Sequence, residues 1–244
     1  MNNQNCIICS CEKIKDTEYT YKCKNCNLFT SNLRSGFGRE IEGVDNLRIK
    51  NSKKIISTML LNKDIDKLKV FEFGSGQGYF INEAEKLNID ITGSDPDETE
   101  YNILKNKYKK IIKISLPISD EKKSLLEKYD YIVFNDVFEH LNDLNKISAQ
   151  LKNFLKPGGC LVINIPSSDG ILFKISRFLY KINIHNIYNR LWQKNTSSPH
   201  LTYFNNKNLS LYLKKFNYEL IHSGSLDFID NTDNFKRFNS ILIC

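Results

Sequence analysis

The chain has 244 residues, with 35 Lys and Arg against 28 Asp and Glu, and 41% of its residues are apolar. This size fits one catalytic domain with at most a small appendage, and it excludes two full domains. Every apolar run is broken by Lys, Asn or Asp before the ~18 residues that a membrane span needs, and the start lacks the pattern of a signal peptide. We therefore expect a cytoplasmic protein without a transmembrane segment. The basic residues are mostly Lys and are spread along the chain, which weakens a nucleic-acid interpretation of the +7 charge.

The first 30 residues hold five of the seven cysteines. They include two C-x2-C pairs, Cys6 with Cys9 and Cys23 with Cys26, separated by 13 residues. In a reducing compartment such crowding indicates a metal rather than disulfides. Four thiolates close the coordination shell of Zn²⁺, so we predict a structural zinc site in a ribbon-like module over residues 1–30. Cys11 is a spare that could replace Cys9 as a ligand.

From about residue 46 the chain alternates between helical patterns and short apolar runs. A helix is predicted over residues 46–61, and another, with Leu144, Ile147 and Leu151 on one face, is predicted to stop at Pro157-Gly158-Gly159. A further helix is predicted over residues 210–216. Seven strands are predicted, over residues 69–73, 89–93, 111–114, 131–135, 160–165, 218–222 and 240–244. This order predicts an α/β fold with a doubly wound, mostly parallel seven-stranded sheet.

Residues 170–199 depart from that alternation and are predicted to form a helical insertion. Five apolar residues lie on one helical face, namely Ile171, Ile175, Phe178, Leu179 and Ile182, and Lys174, Arg177 and Lys181 lie on another. We expect this apolar face to pack over the edge of the sheet. Two other interpretations stay open: a lid over a substrate, and a helix that lies on a membrane surface.

The most informative stretch joins the first strand of this region to the next helix, as Glu72-Phe-Gly74-Ser-Gly76-Gln-Gly78. Glycines at such a turn allow positive φ angles and let a ligand approach the main chain without meeting a Cβ atom. The third glycine of a dinucleotide fingerprint would fall at position 79, which is Tyr79, so a diphosphate is poorly supported. The charge of Glu72 would repel phosphates and suits an ammonium or sulfonium group.

A second acid, Asp95, ends the following strand, where a carboxylate can accept both hydroxyls of a ribose. Together, the glycine loop and the two acids predict a site for a nucleoside that carries a cationic amino-acid tail.

With these residues the chain resembles the class I S-adenosylmethionine-dependent methyltransferases over about residues 46–244. The matching segments are residues 72–78, Asp95, residues 129–141 and residues 155–161. The resemblance implies a Rossmann-like methyltransferase fold and S-adenosylmethionine as cofactor. It implies that Glu72, Gly74, Ser75, Gly76 and Gly78 hold the methionine end, that Asp95 and Pro96 hold the ribose, that Leu116 lies near the adenine, and that Asn135 and Asp136 approach the methionine moiety.

Two histidines are candidates for the catalytic group that faces the methyl acceptor. His140 lies in Glu139-His-Leu141, just beyond the fourth strand of this region, and His200 follows the insertion in a His-Leu-x-x-Phe element. A hydroxyl acceptor profits from a general base, whereas an amine need only lose its proton. For each histidine the other interpretation is a structural one, in which the ring orders a loop through hydrogen bonds to the backbone.

The cysteine module also resembles ribbons that precede methyltransferase domains in surface-polysaccharide and secondary-metabolite enzymes, and in some ribosomal RNA methyltransferases. The leading hypothesis is a methyltransferase that acts on a small molecule or glycan precursor, with O-methylation of a sugar as its reaction. An RNA methyltransferase and a non-catalytic binding protein of the same fold remain alternatives. We expect a small-molecule or glycan partner rather than nucleic acid, and a peripheral membrane contact stays open.

Overall fold

The computed structural model describes residues 5–36, 45–61, 68–227 and 236–243 of the chain. Residues 1–4 of the predicted ribbon and Cys244 of the predicted last strand lie outside these ranges. None of the helices in the described ranges combines the length and the apolar character needed to cross a bilayer.

The main sheet has seven strands in the order β10-β11-β8-β7-β4-β5-β6. They are β4 (Lys69–Phe73), β5 (Asp90–Ser94), β6 (Ile111–Ile112), β7 (Tyr129–Asn135), β8 (Leu155–Pro166), β10 (His222–Asp227) and β11 (Lys236–Ile243). The five adjacent strands β6, β5, β4, β7 and β8 pair in parallel, whereas β11 pairs antiparallel with both β8 and β10. The doubly wound, Rossmann-like fold is therefore confirmed, and its continuous parallel part has five strands rather than seven.

Seven α-helices accompany these strands within the described ranges. They are α1 (Asp45–Met59), α2 (Tyr79–Glu85), α3 (Glu98–Lys107), α4 (Leu144–Leu151), α5 (Ile171–Lys181), α6 (Asn186–Leu191) and α7 (Asn206–Lys214). Short 3-10 helices cover Asp120–Leu125, Phe138–His140 and Lys152–Phe154. Residues of α1, α2 and α3 share one apolar cluster with the sheet, and residues of α4 and α7 share another, so helices cover both faces.

The central strand β7 explains why the sheet forms. Residues Tyr131, Ile132, Val133 and Phe134 are all buried, because helices cover both faces of a parallel sheet and an uninterrupted apolar run can then be packed on both sides. The predicted strands lie within one or two residues of the observed ones through β7.

Several predicted boundaries are wrong. Helix α7 begins at Asn206 and not at residue 210, and β11 begins at Lys236 and not at residue 240. Helix α4 ends at Leu151, before the Pro157-Gly158-Gly159 run that was expected to stop it, and that run lies inside β8. Tyr218 begins no strand, since the strand of this region starts at His222.

The N-terminal residues form a second, smaller sheet. Its strands β1 (Lys13–Lys15), β2 (Thr20–Cys23) and β3 (Phe29–Ser31) pair antiparallel and are joined by β9 (Thr202–Tyr203) from the far end of the chain. The cysteine module therefore shares a sheet with the methyltransferase-like region. An aromatic cluster extends this contact, with Tyr19 and Phe29 from the module packed against residues of the insertion.

The insertion is helical, and α5 packs through a different face from the one expected. Phe173 and Ser176 are its buried residues, and Phe173 lies 5.1 Å from Phe29 between ring centroids. The apolar face predicted to pack is exposed at Ile171, Ile175 and Phe178. Aromatic contacts with residues of the small sheet therefore hold α5 in place.

Candidate active site

The glycine loop follows β4 at the carboxyl edge of the main sheet. Gly74, Gly76 and Gly78 all have positive φ angles, of 65°, 49° and 79°. A Cβ atom on Gly74 would lie 2.7 Å from Cγ2 of Val137, so this position excludes any side chain. Glu72, in the strand before the loop, is only 2% exposed. At Gly78 a Cβ atom would lie 2.5 Å from Cε2 of Tyr108, so the packing of the protein itself requires glycine at positions 74 and 78.

Asp95 holds the glycine loop against the end of β5. Its Oδ2 accepts a hydrogen bond from the backbone N–H of Gly76 at 2.9 Å, and its Oδ1 accepts one from that of Asp97 at 2.9 Å. Burial raises the pKa of Asp95, and the two backbone donors oppose that shift. A carboxylate offers about four acceptor sites, so capacity remains for the hydroxyls of a ribose. These contacts fit the nucleoside that the motifs predict.

The end of β7 carries Asn135 and Asp136, and both contact the neighbouring strand β8. The Asn164 side-chain amide donates to Oδ1 of Asn135 at 2.6 Å and lies 3.4 Å from Oδ1 of Asp136. Asp136 has a φ of 56°, in the left-handed region. Because β4 lies between β5 and β7, these groups and the glycine loop share one edge of the sheet. Pro96 and Leu116 follow β5 and β6 at the same edge.

Asn164 is a residue that the sequence analysis missed. It is buried within the apolar run of β8 and orients both polar groups at the end of β7. A buried amide costs free energy unless it is hydrogen-bonded. Asn164 could have been recognised in the sequence, because it is a polar residue within the apolar run from Leu161 to Ile165.

His140 is half-buried and lies one turn beyond Asp136. Its Nδ1 is 3.0 Å from the carbonyl oxygen of Pro199 and 3.3 Å from the Ser198 hydroxyl. Because a carbonyl only accepts, Nδ1 carries the proton and the lone pair is on Nε2. Burial lowers the pKa of His140, and the bond to Pro199 and the charge of Asp136 oppose that shift. His140 is therefore a neutral imidazole that can accept a proton at Nε2.

His200 is held by the protein on both ring nitrogens. The Tyr203 hydroxyl donates to the carbonyl oxygen of Leu191 at 2.7 Å, so its oxygen accepts from Nδ1 of His200 at 3.0 Å. The other nitrogen, Nε2, lies 3.1 Å from the amide nitrogen of Gln193. The two histidine rings contact each other, with centroids 4.6 Å apart. The structure thus brings both predicted histidines together and gives them different surroundings.

Glu139 completes this cluster. One carboxylate oxygen lies 3.9 Å from Nε2 of His200, and donor atoms of Glu139, His140 and His200 lie within 4.8 Å of one another. The Gln193 amide can only donate through its nitrogen, so it already uses the lone pair on Nε2 of His200. We therefore interpret the cluster as a polar network.

The four predicted metal ligands meet in the small sheet. The Sγ atoms of Cys6 and Cys26 are 3.4 Å apart and those of Cys9 and Cys23 are 3.5 Å apart. Tetrahedral zinc thiolates, with Zn–S bonds of about 2.3 Å, place sulfur atoms about 3.8 Å apart, so the cluster has the right size for such an ion. The backbone N–H of Ile8 points to the Cys6 sulfur at 3.4 Å. Cys11 is exposed and does not belong to the group.

A cavity of about 210 Å³ lies between the small sheet and the start of α5. Polar residue types and two aromatic residues line it, and three parts of the chain contribute: Lys22, Asn27, Phe29, Ser168, Asp169, Phe173, Lys174, Arg177 and Asn205. Ser168 and Asp169 lie just beyond the carboxyl end of β8, so the cavity lies at the same edge of the sheet as the glycine loop. The cysteine module forms one wall.

Comparison with known proteins adds the family. A model described as a methyltransferase domain matches residues 42–223. A methyltransferase of Thermotoga maritima is similar in structure, with 18% identity, coverage of 82% of this chain and 89% of that one, and a TM-score of 0.55. Magnesium protoporphyrin IX methyltransferase of Synechocystis, solved with S-adenosylhomocysteine, is 15% identical, with coverage of 85% and 89% and a TM-score of 0.57. A methyltransferase of Archaeoglobus fulgidus is 15% identical, with coverage of 80% of this chain and 93% of that one and a TM-score of 0.53.

No curated protein matches the sequence. At these identities the solved structures show the fold, and the family model covers most of the chain. Its match includes the glycine loop, Asp95, both residues at the end of β7 and both histidines. The chain therefore belongs to the methyltransferase domain family with the class I fold, and it is an S-adenosylmethionine-dependent methyltransferase.

Proposed function

We propose that this enzyme methylates a hydroxyl group of a small polar molecule or glycan precursor, with a sugar as the acceptor. The observation that carries the proposal is the state of His140. Its proton is fixed on Nδ1 by the Pro199 carbonyl oxygen, which leaves Nε2 as a base at the carboxyl edge. A hydroxyl acceptor gains from such a base near neutral pH.

The cavity beside α5 supports a polyhydroxyl acceptor. Asn27, Asp169 and Asn205 offer donors and acceptors for hydroxyl groups, and Phe29 and Phe173 offer an apolar wall for a sugar ring. These features favour a small acceptor.

The cofactor would lie along the glycine loop, where it supplies a methyl group on a sulfonium. In the proposal, residues 72–78 line the methionine end, Asp95 and Pro96 hold the ribose, Leu116 packs near the adenine, and Asn135 and Asp136 approach the methionine moiety. Methyl transfer is an in-line displacement, so orientation supplies much of the rate. His200 is held by hydrogen bonds with Tyr203 and Gln193, and the contact between the two histidine rings then positions His140.

We further propose that Cys6, Cys9, Cys23 and Cys26 bind a structural Zn²⁺ and that the protein acts in the cytoplasm, where thiols stay reduced. Nucleic acid is not part of this proposal. Residues 1–30 would form the metal module and residues 46–244 the catalytic domain with its insertion at 170–199.

The test is incubation of the purified chain with labelled S-adenosylmethionine and a panel of sugar nucleotides, free sugars, amines and RNA. Methyl transfer to a sugar hydroxyl, lost in His140→Gln, supports the proposal. Transfer to RNA or to an amine, or activity that survives His140→Gln unchanged, contradicts it.

A further inference from the structure

The exposed face of α5 is an unusual surface for a water-soluble helix. Ile171, Ile175, Phe178 and Ile182 lie within a stripe about 60° wide at 100° per residue. They are 55, 49, 64 and 50% exposed. Ile184 and Ile187 continue the apolar surface toward α6, at 47 and 39%. We call these six residues the α5 stripe.

The α5 stripe is not needed to hold the helix in place. Phe173 and Ser176, on the opposite face, are buried in contact with the rest of the protein. Phe173 packs against Phe29 and Tyr203, with ring centroids 5.1 and 4.6 Å away. The helix is therefore anchored through one face, and its second apolar face points to solvent.

Basic residues are concentrated in one stretch of the sequence, and three of them lie exposed on α5 and α6. Residues 170–218 contain eight Lys and Arg and no Asp or Glu, and the rest of the chain contains 27 basic and 28 acidic residues. The whole positive excess thus comes from the stretch that carries the α5 stripe. Lys174 and Lys181 flank the stripe on α5, and Arg190 lies on α6, all three exposed.

We propose that the α5 stripe and its flanking cations bind the surface of a membrane rich in anionic phospholipids. A bilayer interface offers hydrocarbon for an apolar helical face and negative charge for the lysines beside it. The geometry matches this arrangement, because the helix axis can lie in the plane of the interface while its anchored face remains on the protein.

Two other occupants fit the observations less well. A second copy of this chain, paired through the same patch, would bring two basic stretches face to face. A nucleic acid would satisfy the cations but would leave six large apolar side chains against a charged polymer. The membrane alone satisfies both features.

The position of the stripe gives the contact a consequence for the enzyme. Helix α5 begins directly after Ser168 and Asp169, and Phe173 and Lys174 line the cavity beside it. The stripe lies on the opposite side of α5 from Phe173, so a membrane bound by it would lie about one helix diameter, roughly 10 Å, from that cavity and could present an acceptor held at the lipid surface. This last step rests on the proposed function, whereas lipid binding itself does not.

The experiment is sedimentation of the full chain with vesicles of phosphatidylcholine alone or mixed in equal parts with phosphatidylglycerol. We expect binding to the mixed vesicles and little to the neutral ones, and weaker binding as salt increases. Lys181→Glu with Arg190→Glu should weaken binding by more than about 20-fold, at about fivefold per charge removed. Ile175→Ser with Phe178→Ser should weaken it by roughly tenfold.

Matched controls place the same chemical changes elsewhere. Lys105→Glu with Lys109→Glu alters two exposed lysines outside the stretch, and Ile103→Ser with Leu125→Ser removes two exposed apolar side chains. Melting temperatures of all variants show whether the fold is kept. The controls should bind vesicles like the unchanged protein.

Four results would overturn the proposal. One is equal sedimentation with neutral and anionic vesicles, and another is equal loss of binding in the stripe variants and the controls. The third is a stable dimer in light scattering that Ile175→Ser with Phe178→Ser dissociates, since the stripe would then be covered by a second copy. RNA binding that ignores the apolar substitutions would likewise assign the basic stretch to nucleic acid. Methylation of a soluble acceptor, measured in parallel, reports on the proposed function separately.

Discussion

At the scale of single residues, the glycine loop is the part of the site with the clearest physical requirement. Gly76 has a φ of 49°, which favours glycine, and donates its N–H to Asp95, so its backbone conformation fixes the loop against that carboxylate. A side chain there would meet the proposed cofactor and would also strain the backbone. These two effects can be separated within this chain.

We predict that Gly76→Val weakens binding of S-adenosylhomocysteine by roughly a hundredfold or more, because its side chain fills the proposed cofactor space. Gly158→Val is the matched control, since Gly158 has a φ of 74° and no atom within 4 Å of its Cβ position. Both variants should lose about 1–3 kcal/mol of stability from backbone strain. Calorimetric titration then measures affinity. Equal affinity in the two variants would contradict the placement of the cofactor.

The second prediction at this scale concerns the pH dependence of His140. Burial lowers the pKa of His140 below its usual value near 6.5, so the ring stays neutral through neutral pH and gains its proton only at lower pH. We expect kcat/KM to fall on the acid side, below about pH 6.5, and His140→Gln to reduce kcat by about 100-fold and remove this limb. The rate is measured in both proteins between about pH 5 and 8, a range that includes the ordinary histidine pKa of ~6.5. An unchanged acid limb in the variant would assign it to another group.

The lowered pKa of His140 also makes the folded protein less stable at acid pH. The unfolded chain binds a proton at His140 more readily than the folded chain, so the free energy of unfolding falls as pH drops through the range below about 6.5. Urea titrations across this range should show a shallower decrease in His140→Gln.

At the scale of secondary structure, the sequence predicts the elements that repeat a simple pattern. Strands β4, β5 and β7 are short segments in which apolar residues lead to glycines or an acid, and their positions agree with the structure. The rest depends on contacts that lie far apart in sequence. Strand β9 has two residues and forms because β3 pairs with it, and no local pattern marks Thr202 and Tyr203 as a strand.

The orientation of α5 shows the same limit. Its sequence contains two apolar faces, and the larger one was expected to pack. The aromatic partners of Phe173 are Tyr188 and Trp192 of the insertion, Phe29 of the cysteine module and Tyr203 of β9, so the choice of face depends partly on elements that are distant in sequence. The basic stretch around it was visible in the sequence, but counting charge over the whole chain concealed it.

The cysteine cluster provides a prediction for an element. Cys23→Ser should lower the melting temperature by about 10 °C, because loss of a metal ligand is expected to cost ~3 kcal/mol and each kcal/mol shifts Tm by about 2–4 °C at this size. Cys11→Ser, at an exposed cysteine outside the cluster, should change Tm by less than about 1 °C. Metal analysis should find one equivalent of zinc in Cys11→Ser and less in Cys23→Ser. Equal zinc content in both would place the ion elsewhere.

At the scale of the whole molecule, the module and the insertion are joined by an ion pair. Arg177 of α5 donates from Nε to Asp16 Oδ2 at 2.7 Å and from a second nitrogen to Oδ1, and the Asp16 side chain is only 6% exposed. A buried carboxylate that loses its partner keeps its desolvation cost. The pair therefore links two regions that are 161 residues apart in sequence.

We predict that Arg177→Gln lowers the free energy of unfolding by about 3 kcal/mol, since Asp16 is then left buried without its cation. The double variant Asp16→Asn with Arg177→Gln should recover part of this loss. Lys194→Gln is the control, because its partner Glu18 is exposed and such pairs contribute less than about 1 kcal/mol. Denaturant unfolding measures all three. A loss in Lys194→Gln as large as that in Arg177→Gln would deny the ion pair its role.

The shared strand has a consequence for the order in which the protein folds. Phe29 and Thr30 in β3 pair with Tyr203 and Thr202, and Ser31 donates to carbonyl oxygens of Leu201 and His200. On the ribosome, the first thirty residues emerge long before these partners have been translated. The early segment can bring its four clustered cysteines together at once, but the edge of β3 stays unpaired until β9 has been translated. Closure of that edge by β9 also orders the backbone next to His200, so the small sheet and the loop that carries this histidine are completed together, late in synthesis.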